Sequence, residues 1–284
     1  MQKQKLECAL YVVATPIGNL RDISLRALDI LASAEVIAAE DTRNTQHLLT
    51  HYGISASRLL TLHQHNERNA AEKIITLLAQ DKPVAFVSDA GTPTVSDPGT
   101  LLVEAVRAAG YRVIPIPGAN AALAALSASG LNAQHFLFYG FLPHKPAARC
   151  RELQALVALP YTLVFYEAPH RILECITDLH AILGGERHII LARELTKLFE
   201  NIHCCTIAEA TEWLNGDPNN QRGEFVLLVS GAEKKEGLDE EAERTLAILL
   251  QDLPLKQAAQ LAAKITGIGK NELYQRALQI KETE

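Results

Sequence analysis

Short apolar runs alternate with amphipathic stretches of helical period along most of this chain. Nearly every apolar run ends in a loop of Gly, Pro, Asp, Ser or Asn. Leu10–Ala14, Val36–Ala39, Val84–Val87 and Val113–Ile116 read as strands. Between them, Leu25–Ser33 (with Ser24 as N-cap), Asn44–His51, Ala71–Gln80, Leu101–Ala109 and Ala121–Ser129 read as helices. A second series places strands at Phe136–Tyr139, Thr162–Tyr166, Ile189–Ala192, Cys204–Ile207 and Phe225–Val229, with helices at Ala148–Ala158 and Arg171–Leu183. After a polar linker, Ser230–Gly237, three helices follow at Leu238–Leu253, Leu255–Lys264 and Asn271–Ile280. Such alternation predicts an α/β fold. The 284 residues suffice for two α/β domains, over 1–117 and 118–232, and a small helical domain over 238–284.

Several function classes drop out. No stretch approaches the ~20 apolar residues of a membrane span, and no secretory segment precedes the first strand. The expected compartment is the cytoplasm. The five cysteines (Cys8, Cys150, Cys175, Cys204, Cys205) contain no Cys-x-x-Cys pair, so reduced thiols are expected rather than disulfides or zinc. No His/Cys/Asp cluster has metal-ligand spacing, and no metal is expected. A formal net charge of −6 argues, by itself, against nucleic acid.

In open α/β sheets, ligands bind beyond the carboxyl ends of strands. Six successive strand ends carry special residues: Thr15–Arg21, Glu40–Arg43, Ser88–Gly99, Pro117–Ala121, Gly140–Pro146 and Glu167–Arg171. Turn and capping chemistry explains any one of them. Six together, one of them 12 residues long with two Pro and two Gly, point to a site. Neither a Walker loop nor a Gly-x-Gly-x-x-Gly fingerprint is present. Ser88–Gly99 holds Asp89 and Asp97 and no cation, so it repels phosphate. A neutral or cationic ligand fits better, for example an adenosine carrying a sulfonium and an amino acid.

These segments, with Arg193–Lys197 and the tail Gly269–Tyr274, occur in an order that closely resembles the RsmI-type bacterial 16S rRNA (cytidine-2′-O)-methyltransferases. Those enzymes belong to the tetrapyrrole-methylase-like class that uses S-adenosylmethionine. The resemblance covers nearly the whole chain. It implies two α/β domains of the tetrapyrrole methylase type with the cofactor in the cleft between them, a homodimer, and a cytidine of the small ribosomal subunit's decoding region as substrate. Carried over by position, the donor lies against Pro16, Gly18, Asn19, Asp89, Gly91, Thr92, Ser96, Asp97, Asn120, Ala121, Glu167 and Ala168. Two positions depart from the family: Asn120 stands where Ser is frequent, and His144 where a basic residue is common.

Methyl transfer from a sulfonium is an in-line displacement, assisted by positioning and by a base for the ribose hydroxyl. Base candidates are Glu40, Asp41, His65, Glu67, Lys145 and Glu167; Glu40, Asp41, Arg43, His65, Asn66 and Lys145 form the expected catalytic group. Each has a plainer reading. Asn66 can cap the helix beginning near Arg68, and Glu40–Arg43 can be an ion pair plus a Thr42 cap. RNA phosphates are expected at Lys145, Arg149, Arg171, Lys197 and Lys270. Residues 256–281 carry five cations against one carboxylate, Glu272. That stretch resembles a helix-turn-helix for RNA or ribosome docking, or else a helical cap. Two rival functions stay open: C-methylation of a tetrapyrrole with the same donor, and a non-catalytic nucleic-acid-binding regulator.

Overall fold

The computed structural model describes residues 5–55, 58–132, 134–233 and 240–283. Residues 234–239, the end of the expected linker and the first two positions of the expected helix Leu238–Leu253, lie outside them. One compact unit spans Met1–Ala232 and a second spans Glu233–Glu284.

The first unit holds two five-stranded sheets with helices on their faces, the α/β architecture expected. Its first half runs β1 (Ala9–Val13), α1 (Leu25–Ser33), β2 (Val36–Ala39), α2 (Thr42–His51), β3 (Leu59–Thr61), α3 (Glu67–Ala79), β4 (Val84–Val87), α4 (Thr100–Ala108), β5 (Arg112–Ile116) and α5 (Ala121–Ala128). The strands lie in the order β3-β2-β4-β1-β5, all parallel. Both faces are covered, which is why β2 and β4 are apolar at every position. Ala9, Tyr11 and Val13 pack with α1 and α2, and Leu10 and Phe86 with α3 and α4 on the other face.

The second half runs β6 (Phe136–Phe141), α6 (Pro146–Leu156), β7 (Thr162–Glu167), α7 (Ile172–Leu183), β8 (His188–Arg193), β9 (Asn201–Thr206), α8 (Ile207–Gly216) and β10 (Phe225–Val229). The order is β6-β7-β10-β8-β9. Here β6 and β7 are parallel, whereas β10 runs antiparallel to both β7 and β8. The carboxyl ends of β6, β7 and β8 therefore meet the amino end of β10.

Local chemistry starts the helices. Ser24 accepts from the Ala27 N–H, Asp41 from Arg43 and Asn120 from Leu123. Thr206 and Glu209 form a capping box on α8. The expected helix at Asn44 begins earlier, at Thr42, because the cap is Asp41 rather than Thr42.

The second unit contains α9 (Glu240–Asp252), α10 (Leu255–Thr266) and α11 (Lys270–Thr283). Ala-rich faces let the helices pack closely around Leu246 and Leu273. Gly267, at φ 75°, ends α10 in the left-handed conformation. Arg276 pairs with Glu243 within this unit, while Lys256, Lys264 and Lys270 are exposed.

Candidate active site

Three strand-end loops of the first sheet are stitched together. Thr15 and Gly91 exchange backbone hydrogen bonds at 2.9 and 3.0 Å. The Thr15 hydroxyl donates to the Ser88 carbonyl at 3.3 Å, and the Thr92 hydroxyl to the Ala119 carbonyl at 3.1 Å. The far end of Ser88–Gly99 is held differently. Glu67, buried at the start of α3, accepts the N–H groups of Gly99, Leu101 and Leu102 through one oxygen at 3.0, 2.6 and 3.2 Å. A carboxylate from one helix thus caps the amino end of another. Within the loop, Thr94 (φ 72°) and Ser96 (φ 66°) take left-handed conformations that non-glycine residues seldom adopt.

Two adjoining cavities open at these strand ends. The first, of about 460 Å³, is lined from one sheet by Gly91, Thr92, Ser96, Asp97, Asn120 and Ala121. From the other sheet come Glu167, Ala168, Leu195, Glu224, Phe225 and Val226. The second, of about 720 Å³, is lined by Pro16, Gly18, Asp89 and the Asn44, His47 and His51 side of α2. Ile17, Ala90, Lys197 and Glu224 border both.

The wall between them is tightly built. A Cβ on Gly18 would lie 2.5 Å from Lys197 Cγ and 2.8 Å from Thr196 Oγ1, so only glycine fits without displacement. The Asn19 N–H donates to that Thr196 hydroxyl at 3.1 Å, while the Asn19 side chain caps a short 3₁₀ turn. Glu194 (φ 51°) and Thr196 (φ 65°) are strained in the same sense as Thr94 and Ser96.

The electrostatics are acidic. Burial, reinforced by Asp97 and Asp89, pushes the Glu40 carboxyl above its usual range. Burial likewise raises Asp97, with Asp89 adding to it and a hydrogen bond from Ser88 opposing. Glu167 is buried; one oxygen accepts from the Ala168 N–H at 2.8 Å and faces Arg171 Nε at 3.2 Å. Its other oxygen has no partner among the described residues. Lys197 donates to Glu194 and Glu224, both at 2.8 Å. Burial alone would lower its pKa, but those two carboxylates outweigh it and hold the ammonium charged.

The expected residues divide by position. Gly91, Thr92, Ser96, Asp97, Asn120, Ala121, Glu167 and Ala168 line the first cavity, and Pro16, Gly18 and Asp89 the second. Glu40, Arg43, His65, Asn66 and Lys145 line neither. Asp41 caps α2 and pairs with Arg43 at 2.6 Å, which holds its carboxyl down at about 2. Asn66 folds its own loop, accepting from the His63 N–H at 2.9 Å and donating to the Thr61 carbonyl at 3.0 Å. His65 donates its N–H to His63 Nδ1 at 3.3 Å.

Three phosphate candidates are corrected. Arg149 is 1% exposed and its guanidinium meets Asp178 at 2.5 Å and Glu174 at 3.6 Å. Arg171 is buried too, bound to Glu167, the Leu142 carbonyl at 2.8 Å and His144 Nδ1 at 3.0 Å. Neither cation faces solvent. Lys197 is taken up by its two carboxylates. Lys145 and Lys270 remain exposed.

Sequence reasoning missed Glu224, Phe225 and Val226, because β10 is antiparallel and offers its amino end. It also missed Tyr166, Ala192 and Leu195, whose apolar character matches that of the core. Among the described residues no three His, Cys, Asp or Glu side chains gather to hold a metal ion. Nor is any described helix long and apolar enough to cross a membrane.

Residues 9–211 match the family model of tetrapyrrole (corrin/porphyrin) methylases, and residues 236–281 match an RsmI C-terminal HTH domain. Ribosomal RNA small subunit methyltransferase I of Pseudomonas aeruginosa is 52% identical over 95% of this chain and 96% of its own length. The protein of that name from Escherichia coli O157:H7 is 51% identical over 95% and 94%. Among solved structures, a cobalt precorrin-4 methyltransferase superposes with a TM-score of 0.60 at 14% identity, over 78% of this chain and 95% of that one. A uroporphyrin-III-C-methyltransferase from Thermus thermophilus gives 0.54 at 22%, over 78% and 93%. The fold, the loops at its strand ends and the near-complete span of its relatives agree that this chain belongs to the tetrapyrrole (corrin/porphyrin) methylase family, in the branch of ribosomal RNA small subunit methyltransferase I.

Proposed function

We propose that this protein is an S-adenosylmethionine-dependent methyltransferase that methylates the ribose 2′-oxygen of a cytidine in small-subunit 16S rRNA. The observation that carries the reading is the 52% identity across 95% of the chain to a protein named for ribosomal RNA methylation. A cytoplasmic location and a homodimer belong to the same proposal.

The first cavity suits the donor. Its volume lies in the range of small-molecule sites, its walls are largely apolar, and Gly91 (φ 79°) brings backbone close to a ligand. The Asp97 carboxylate, which lines the cavity, supplies an acceptor for hydroxyl or ammonium groups. When bound, S-adenosylmethionine would supply an electrophilic methyl group. Gly91, Thr92, Ser96, Asp97, Asn120, Ala121, Glu167 and Ala168 would hold it. Pro16 and Gly18 stand on the second cavity's side of the shared wall, Asn19 fixes that wall through Thr196, and the Asp89–Asp97–Glu40 group would offset the donor's positive charge.

The second cavity is the acceptor's place in this reading. Asn44, His47 and His51 offer hydrogen-bonding groups to a nucleoside, and Asp89 stands at the border with the donor. Glu40 lines neither cavity; as the partly buried carboxyl beside Asp97 and Asp89 it is the proton acceptor of this reading by way of one bridging water. Asp41 and Arg43 keep the start of α2 in place, His65 and Asn66 flank the acceptor, and Lys145 and the Lys270 tail contact RNA backbone.

The test is incubation of purified protein with labelled S-adenosylmethionine and small subunits from a strain lacking the protein. Mass spectrometry of the rRNA fragments should show one added methyl group on a cytidine ribose. No incorporation into rRNA would sink the reading, and labelling of a porphyrinoid instead would install the tetrapyrrole alternative.

A further inference from the structure

Arg149 and Arg171 are buried and Lys197 is ion-paired, so three of the cations expected to meet RNA are already engaged within the protein. A second basic concavity lies at the open edge of the first sheet. It measures about 400 Å³ and is bounded by Arg58, just before β3, and by Thr61, Asn66, Asn69 and Lys73, from β3, the following loop and α3. No carboxylate lines it. Among the described residues, neither Arg58 nor Lys73 forms a salt bridge. Both are exposed, unlike Arg149 and Arg171, and neither is engaged by acids as Lys197 is. Asn66 is held by its bonds to His63 and Thr61, which gives the wall a fixed shape.

We infer that Arg58, Lys73 and the carboxamide of Asn69 form a phosphate-binding site for the RNA backbone, at a distance from the reacting nucleotide. The inference rests on the proposed rRNA substrate. A guanidinium fork, an ammonium and an amide donor match the oxygens of a phosphodiester. The position also fits. β3 lies two strands from β4, about 10 Å at ordinary strand spacing, and the Leu62 N–H meets the Ala39 carbonyl at 2.8 Å, directly before Glu40. Arg58 precedes β3, so an RNA strand whose ribose enters the second cavity at the carboxyl ends would bring a more distant phosphate of the same strand around this edge.

The experiment compares wild type with the double variant Arg58→Ala/Lys73→Ala, both side chains being on the surface. Methylation of small subunits is followed across a series of salt concentrations. The variant should show a KM for RNA raised roughly tenfold or more, with kcat and the Kd for S-adenosylmethionine unchanged. Its log–log salt slope should shrink by about 1 to 2, roughly one unit for each phosphate that is no longer neutralised. Arg58→Lys/Lys73→Arg should restore most of the KM. An unchanged KM and slope, beside an active wild type, would overturn the site and leave the proposed function standing. An inactive wild type would instead overturn the function. A calorimetric titration with inorganic phosphate separates the other source. Tight binding that disappears in the double variant, with the RNA KM unmoved, would assign the site to a free phosphate ligand and overturn the RNA role.

Discussion

Asp89 Oδ1 accepts the backbone N–H of Asp41 at 2.9 Å, so the loop after β4 fixes the first turn of the helix that follows β2. Asp89 therefore has two separable roles, one structural and one electrostatic. Asp89→Ala should lower stability by about 1 kcal/mol and weaken S-adenosylmethionine binding at least tenfold. Asp89→Asn keeps the accepting oxygen and drops the charge. It should restore the Tm but not the affinity, as thermal denaturation and calorimetry on the same preparations will show.

Glu67 is a capping group here and not a base. Its oxygen serves three N–H groups at the start of α4. Glu67→Ala should cost about 2 kcal/mol, the scale for hydrogen bonds to a charged group, with most of that recovered in Glu67→Gln. The rate per folded molecule, measured at a temperature where both variants remain folded, should stay close to wild type. A rate loss of a hundredfold in folded Glu67→Gln would restore it to the candidate bases.

The acidic group gives a pH signature. Glu40 and Asp97 are raised from ordinary values of 4.5 and 3.8, chiefly by burial. Above those values the folded protein holds more protons than the unfolded chain, so stability falls as pH rises through the window up to the folded pKa values. Glu40→Gln removes one of these charges. Its Tm should match wild type at pH below the ordinary value and exceed it near neutrality, while methylation falls if Glu40 takes the hydroxyl proton. Equal Tm differences at every pH would mean that folding does not raise the Glu40 carboxyl.

Arg149 and Lys145 lie four residues apart with opposite roles. Arg149→Met should destabilise by about 3 kcal/mol, because it leaves Asp178 without its partner in a largely buried setting, and it should not change the KM for RNA. Lys145→Ala should leave the stability within about 0.5 kcal/mol of wild type and raise that KM. Steady-state kinetics beside denaturant unfolding separates the two.

Much of the fold was readable because both sheets are covered on two faces, which makes strands such as Val84–Val87 continuously apolar. The loops at strand ends were readable for another reason: turns and caps need Gly, Pro, Asp and Asn, and those letters stand out. Direction was harder to read. An antiparallel strand brings its amino end to the site, so Glu224 and Phe225 carry no loop signature. Charge alone was misleading too. Arg149 faces inward because Glu174 and Asp178, one helical turn apart on α7, face it; an acidic pair at that spacing is the signal that would have found it. Tyr166 and Leu195 were invisible because an apolar cavity wall and a core have the same composition.

The clamp on Ser88–Gly99 at both ends, by Thr15 at Gly91 and by Glu67 at Gly99, has a thermodynamic consequence. A 12-residue loop left free would lose much conformational entropy on closing around a ligand. Here that ordering accompanies folding, so a ligand captured there meets a wall that is already ordered and its binding carries little of that cost.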